Sequence, residues 1–286
     1  MTPLALMKTL VALSIVVGCA SCSNRLSDDS DSTDSSWLLV DNFQSGLNHW
    51  THIDVQNDTN PFVANPQIAK IQRDPQSKNQ FMLRKPAPDG VVGNRKAIGF
   101  RPLPVAVQVG ETYTFYTRIS VEYFPNNQSF GLASVAAEQI PNNDYNAFEA
   151  MIRVTDKAES NGHRNDGTLQ VLGGGDMRYS NIVNPTTGKS AQPLRINQWY
   201  ELWYVVNNSS REQGGQSYDL YLRGGEFSSQ QRVFENAQFR MGREKPLAHF
   251  MTICNTGPAD EPYGNGGVRY DDIYMAAGRQ LTTPVK

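Results

Sequence analysis

The sequence predicts an all-β fold, two antiparallel sheets packed as a large jelly-roll β-sandwich, and three observations lead there. From Trp37 onward, short stretches rich in Val, Ile, Phe, Tyr and Thr recur between clusters of Asn, Gly, Pro and Asp. No amphipathic pattern of helical period runs beyond about two turns. The stretches number about a dozen over roughly 250 residues, which suits a large jelly roll better than the smaller immunoglobulin-type sandwich.

In chain order the expected strands are 37–43, 62–71, 81–84, 96–100, 112–123, 130–135, 148–155, 168–172, 199–206, 218–223, 250–254 and 268–275. The clearest is 112–123, because side chains in a strand alternate between faces. Tyr113, Phe115, Thr117, Ile119, Val121 and Tyr123 fall on one face, and Tyr116, Arg118, Ser120 and Glu122 on the other. The strand 148–155 sets Phe148, Ala150, Ile152 and Val154 against Glu149, Met151, Arg153 and Thr155. In 268–275 the adjacent Asp271 and Asp272 cannot both obey the alternation, so a β-bulge is expected there. The Gly173-Gly174-Gly175 run carries no phosphate-loop Lys and is read as a bend or bulge.

The chain ahead of these strands carries an address. Lys8, the apolar stretch 10–17 and a small Gly18 before Cys19 have the layout of a bacterial export signal, too short to span a bilayer. Val16-Val17-Gly18-Cys19 resembles the lipobox of bacterial lipoproteins, which implies cleavage before Cys19 and acylation of that residue. No Asp follows Cys19, and by the same resemblance this favours the outer membrane of a bacterial cell envelope. Residues 19–36 read as an acidic, Ser-rich, disordered tether with Asp28, Asp29, Asp31 and Asp34. The domains are therefore 1–18 signal peptide, 19–36 tether and 37–286 sandwich. The 26 Lys and Arg against 28 Asp and Glu leave a net charge of −2, so nucleic acid is not an expected partner. A mean hydropathy of −0.49 excludes a polytopic membrane protein of helices, which leaves the lipid anchor as the expected membrane contact. Three cysteines exclude a disulfide framework, although Cys22 and Cys254 leave one pairing open. A monomer is expected.

Three motifs in order carry a resemblance. The opening Asp41-Asn42-Phe43-Gln44-Ser45-Gly46-Leu47 with Trp50, the central run Gln198-Trp199-Tyr200-Glu201-Leu202-Trp203-Tyr204-Val205-Val206-Asn207, and the closing Val268-Arg269-Tyr270-Asp271-Asp272-Ile273-Tyr274 resemble first, central and last strands of concanavalin A-like lectin/glucanase jelly rolls. The resemblance implies a polysaccharide ligand across a concave sheet and, often, one structural calcium; it does not decide between binding and catalysis. No organic cofactor is implied.

Glucanases of that superfamily carry an E-x-D-x-x-E strand, because hydrolysis needs two carboxyls at fixed separation. This sequence has none. Its polar, cationic and aromatic face instead gathers Arg118, Glu122, Glu149, Arg153, Trp199, Glu201, Trp203, Tyr221 and Arg223 as substrate-binding candidates. Aromatic rings stack on sugars and Arg bonds carboxylate or sulfate in two-pronged fashion, so an anionic polysaccharide is the expected ligand. The 199–206 strand is apolar on both faces, which leaves open the side Trp199 takes. A polysaccharide lyase using the same groove is the alternative, with Arg118, Arg153 or Arg223 neutralising a uronate and Tyr116, Tyr221 or His163 moving the proton. The segment 221–227 faintly resembles a strand of jelly-roll alginate lyases, but Phe227 stands where that family has Tyr and the Q-I-H strand is missing. An envelope structural or protein-interaction lipoprotein is the third reading. His49 and His52, flanking Trp50, are read as loop packing. Asp41 with Asp271 or Asp272 offers hard oxygen ligands for calcium or, equally, caps the strand ends.

If Cys19 is the acylation site, Cys19→Ser abolishes fatty-acid labelling and membrane partition and leaves the precursor uncleaved; unchanged labelling and partition would exclude the anchor.

Overall fold

The computed structural model describes residues 37–64, 69–74, 78–159, 164–173, 179–257 and 260–285. The expectations placed on Cys19, Cys22, the tether, Gly174, Gly175 and His163 lie outside these residues. The described strands, in order, are β1 (Leu38–Asp41), β2 (Thr51–Asn57), β3 (Ala69–Arg73), β4 (Gln80–Arg84), β5 (Arg95–Val107), β6 (Thr112–Val121), β7 (Asn127–Ala133), β8 (Phe148–Val154), β9 (Gln170–Leu172), β10 (Tyr179–Asn181), β11 (Val183–Asn184), β12 (Lys189–Ser190), β13 (Trp199–Asn207), β14 (Ser217–Gly224), β15 (Phe227–Gln238), β16 (Leu247–Asn255) and β17 (Val268–Ala277). A one-turn helix, α1 (Ile140–Asn143), lies between β7 and β8.

Two large antiparallel sheets and a small β11–β12 ribbon result. The eight-stranded sheet runs β15-β14-β13-β6-β17-β4-β3, with β1 also paired to β17; the seven-stranded sheet runs β10-β9-β8-β7-β16-β5-β2. First and last strands therefore pair as the sequence motifs implied, with Leu38 opposite Met275. The short β10, β11 and β12 were not anticipated, nor were the longer β2 and β15. The sequences of these last two, THIDVQN and FSSQQRVFENAQ, are polar, and each is an edge strand, where polar side chains blunt the exposed hydrogen-bonding rim. Of the expected strand 62–71, residues 62–64 lie outside any strand, with Phe62 69% exposed, and β3 begins at Ala69.

The alternation read for β6 holds, and it builds the core. Phe115, Ile119 and Val121 point inward with Tyr200, Leu202, Tyr204 and Val206 of β13 and Leu220 and Leu222 of β14, meeting Phe130, Leu132, Ile152, Val154 and Phe250 from the opposite sheet. A second apolar cluster covers the outer face of the seven-stranded sheet, where Ile140 and Ala147 of the β7–β8 connection lie on Ile98, Phe100, Phe148, Met151, Met251 and Ile253. The Arg223-to-Phe227 segment is a hairpin. Its Gly225 has φ +62°, and a Cβ there would stand 2.7 Å from the Tyr200 ring.

One end of the core is polar. Arg84 and Arg95 are fully buried between the sheets. Arg95 grips Asp54 through Nε at 3.1 Å and Nη2 at 2.8 Å, and Arg84 Nη1 donates to His52 Nδ1 at 3.1 Å. Gly99 makes the room, since a Cβ at that position would sit 3.1 Å from His52 Nδ1 and 3.3 Å from Arg84 Cζ. Burial, and then the neighbouring Arg84 charge, lower His52 to about 3. The unfolded chain protonates this histidine near pH 6.5 while the folded one stays neutral, so stability falls as pH drops from about 6.5 towards 3, by at most about 1.4 kcal/mol per pH unit from this group. His52→Gln is expected to flatten that limb in urea melts at pH 4 to 7; an unchanged slope would show that His52 titrates normally.

Candidate functional site

The outer face of the eight-stranded sheet is ordered in rows, because register places particular side chains opposite one another across β14, β13, β6 and β17. One row reads Arg223, Glu201, Arg118, Asp271; the next reads Tyr221, Trp203, Tyr116, Tyr274; on the other side of the charged row lie Trp199, Ser120 and Arg269. The first is a row of alternating charge, the second is aromatic, and the third holds an indole beside a guanidinium. Opposite charges facing across strands stabilise the pairing.

The charged row is tightly satisfied. Arg118 Nη1 lies 3.1 Å from Asp271 Oδ2 and 3.0 Å from Asp272 Oδ2, and its guanidinium stands 4.8 Å from the Trp199 ring centre. Asp272 reaches this face through a bulge, where its φ is +51° and the β17 register shifts. The expected break in alternation is thus where the sequence put it. Glu201 is held by Arg223 Nε and accepts the Tyr116 hydroxyl at 2.8 Å. Burial alone would raise the Glu201 pKa, but the bonds from Arg223 and Tyr116 hold it below the usual carboxylate range. Burial, and then the Glu201 charge, push the Tyr116 phenol well above its ordinary value.

The aromatic row is covered. Trp203 is 1% exposed, and its indole N–H donates to the Thr282 carbonyl at 2.9 Å. Leu281 and Trp37 pack on the same cluster, Tyr221 is bonded by Arg279, and Gln230 holds the Leu281 carbonyl at 3.0 Å. The C-terminal segment after β17 therefore lies over these rings. Trp199, which the apolar character of its strand left ambiguous, faces outward and is only partly buried.

Two clefts flank Trp199. The first, about 350 Å³, is lined by Tyr116, Arg118, Glu201, Arg223 and Asp272 besides the indole. The second, about 620 Å³, is lined by Gln72, Arg73, Phe81, Ser120, Asn197 and Arg269 together with Trp199. Phe81 meets Trp199 edge-on at 5.5 Å. Both volumes lie within the range of small-ligand sites.

Of the expected groove, Arg118, Trp199, Glu201 and Arg223 come together. Trp203 and Tyr221 are on the same face but lie buried under the C-terminal segment, and of the aromatic row Tyr116 borders the first cleft. Glu149 and Arg153 belong to β8, which lies in the other sheet, and both are buried. Glu149 is taken by Arg243 at 2.9 Å, Ser134 at 2.7 Å and the Gly242 amide at 2.9 Å. Arg153 bonds Asn127 at 2.9 Å and Glu159 at 2.7 Å under the Tyr179 ring. Glu122 lies past the end of β6, 3.0 Å from Lys85. The sequence reading missed Arg269 and Asn197. For Arg269 the signal was present, since alternation from Asp271 places it on the same face.

The expected lyase roles are occupied otherwise: the Tyr116 and Tyr221 hydroxyls serve Glu201 and Arg279, and Arg153 lies in the other sheet. The three carboxylates expected at a calcium site also have other partners. Asp41 accepts from the Phe43 amide at 2.8 Å, the Trp50 indole at 2.7 Å and Arg101, while Asp271 and Asp272 face Arg118. Among the described residues no group of three or more His, Cys, Asp or Glu side chains is placed to hold a metal ion, and a calcium at this seam does not fit residues already neutralised by arginine. Cys254 is a buried free thiol.

The molecule is thus an antiparallel β-sandwich with an aromatic and polar groove on one outer face. No family model and no curated protein sequence matches the chain. Solved structures similar to it include a marine PL-14 alginate lyase from Aplysia kurodai, with TM-score 0.47 and 11% identity over 73% of this chain and 87% of that one. A GH131 beta-glucanase catalytic domain from Podospora anserina gives 0.46 and 9% over 76% and 81%, and lectin II from Ulex europaeus 0.45 and 9% over 86% and 97%. These are a lyase, a glucanase and a lectin.

Arg118→Ala removes the guanidinium that the nearly inaccessible Asp271 and Asp272 both face. The change is expected to cost about 3 kcal/mol and lower Tm on the order of 10 °C, with part of the loss recovered by adding Asp272→Asn. Neither EGTA nor calcium is expected to move Tm. A calcium-dependent rise in Tm that Asp41→Asn abolishes would restore the metal site.

Proposed function

We propose that this protein binds a polysaccharide chain laid along the outer face of the eight-stranded sheet, and that it does so at a bacterial cell envelope, held by lipid on Cys19. The observation that carries the reading is Trp199. A partly exposed indole forms the shared wall of two clefts, one rimmed by Glu201, Arg118 and Arg223, the other by Asn197, Gln72 and Arg269. A sugar ring has an apolar face for an indole and hydroxyls for carboxylate, guanidinium and amide groups at its edges. In the first cleft both cations are answered, Arg223 by Glu201 and Arg118 by the two aspartates, with one carboxylate in excess. That cleft suits the uncharged parts of a glycan.

Binding is favoured over β-elimination by the state of the tyrosines. A lyase needs a phenol or imidazole free to take a proton, whereas Tyr116 donates to Glu201 and is pushed away from ionisation. The lyase alternative then rests on His163.

Full-length protein in detergent, passed over immobilised neutral and uronate-containing glycans, is expected to retain at least one of them without generating ultraviolet-absorbing unsaturated ends. Trp199→Ala is expected to weaken that retention on the order of tenfold while Trp199→Phe keeps most of it. New unsaturated ends would move the protein to the lyases. Unchanged retention in Trp199→Ala would remove the groove.

A further inference from the structure

The two clefts beside Trp199 differ in charge. In the first, every cation faces a carboxylate. In the second, Arg269 and Arg73 are not ion-paired among the described residues, and Lys70 follows Arg269 along the same outward row across β4 and β3. Asp74 is the single acid in the lining.

Arg269 is moreover held in a particular way. Its Nη1 donates to Asn197 Oδ1 at 2.8 Å and reaches Ser120 Oγ at 3.4 Å, and its guanidinium stands 5.9 Å from the Phe81 ring centre. Both polar contacts use Nη1. Among the described residues Nε and Nη2 have no partner, so one nitrogen anchors the fork and its remaining N–H groups are left for a ligand. Asn197 occupies the left-handed region, φ +60°, in the turn before β13, its amide bonded to the Val121 carbonyl at 2.7 Å. Asn tolerates that conformation better than most residues. The turn fixes where the Arg269 anchor stands.

We infer that the second cleft is the subsite for an anionic substituent of the glycan, a carboxylate or a sulfate, with Arg269 as the residue that reads it and Trp199 stacking the same sugar. The inference rests on the proposed groove and makes it specific. The anion is met by Arg269, with Arg73 and Lys70 adding to the local field, and not by Arg118, Arg223 or Arg153, whose charges are satisfied within the fold. A guanidinium with two open donors suits a planar carboxylate or a sulfate edge, and charge-assisted bonds of this kind are about twice as strong as neutral ones.

The test uses full-length protein in detergent and matched pairs of probes: an oligogalacturonide against its methyl ester for carboxylate, and a κ-carrageenan oligosaccharide against an agarose oligosaccharide for sulfate. The wild type is expected to prefer the charged member of at least one pair, and which pair shows the preference separates carboxylate from sulfate. Arg269→Ala is expected to lower affinity for the charged member on the order of tenfold and for the uncharged member several-fold less, so that the preference is lost. Arg269→Lys, which keeps the charge and loses the fork, is expected to fall between, and it supplies the measurement should the alanine variant fold poorly. Trp199→Ala is expected to weaken both members. If Arg269→Ala keeps the wild-type preference while Trp199→Ala loses both members, the anion subsite is wrong and the groove stands. If the wild type shows no preference in either pair, the inference is overturned. If Trp199→Ala binds both members normally, groove and subsite fall together.

Discussion

The alternating row Arg223, Glu201, Arg118, Asp271, with Asp272 brought in by the bulge, is the constraint on which the working face depends. It crosses four hydrogen-bonded strands at one level and fixes their register from the outside, while the apolar alternation of β6, β13 and β14 fixes it from the inside. A slip of one residue would turn every one of these side chains into the core. The row also divides the face: aromatic rings lie on one side of it, beneath the C-terminal segment, and the open clefts begin at and beyond it.

Alternation told the sequence reading which face a residue occupies and nothing about which sheet its strand joins. For β6, β13 and β14 this sufficed, because the three strands are neighbours and their outward residues converge. For β8 it did not. Glu149 and Arg153 face outward, but from the opposite sheet, and strand order depends on long-range pairing that no local pattern encodes. The aromatic row failed for another reason. Tyr116, Trp203 and Tyr221 point the expected way, but residues 278–285 fold back over them, and such a segment has no periodicity to read. Arg269 was legible in the motif Val268-Arg269-Tyr270-Asp271 and was passed over because the two aspartates beside it drew the metal interpretation.

The outer faces of the two sheets have been finished differently. On the seven-stranded sheet the β7–β8 connection closes an apolar cluster, and below it Asn127, Tyr145, Asn255 and Arg153 bond one another, with Asn127 donating to the Tyr145 hydroxyl at 2.8 Å and that hydroxyl to Asn255 at 3.1 Å. Burial, and then the charge of Asp144, push Tyr145 well above its ordinary pKa. Such a satisfied network adds rigidity and specificity to the fold. The eight-stranded sheet, by contrast, is covered over half its face and left open over the other half. The difference follows from where the connections run, since the β7–β8 segment folds back over its sheet while the β14–β15 turn is only Gly225 and Glu226.

The placement of the four tryptophans has an optical consequence. Trp50 stacks on Phe43 within the core at 5.9 Å, Trp203 lies beneath Thr282, and Trp37 packs edge-on against Tyr116 at 6.2 Å. Trp199, beside a guanidinium at 4.8 Å, forms the wall of both clefts. Emission from the other three reports the integrity of the sandwich, whereas emission from Trp199 senses the polarity of the cleft itself. Anything that enters displaces water from that indole and alters its spectrum without perturbing the rest, so the molecule carries its own reporter of occupancy, with no label attached.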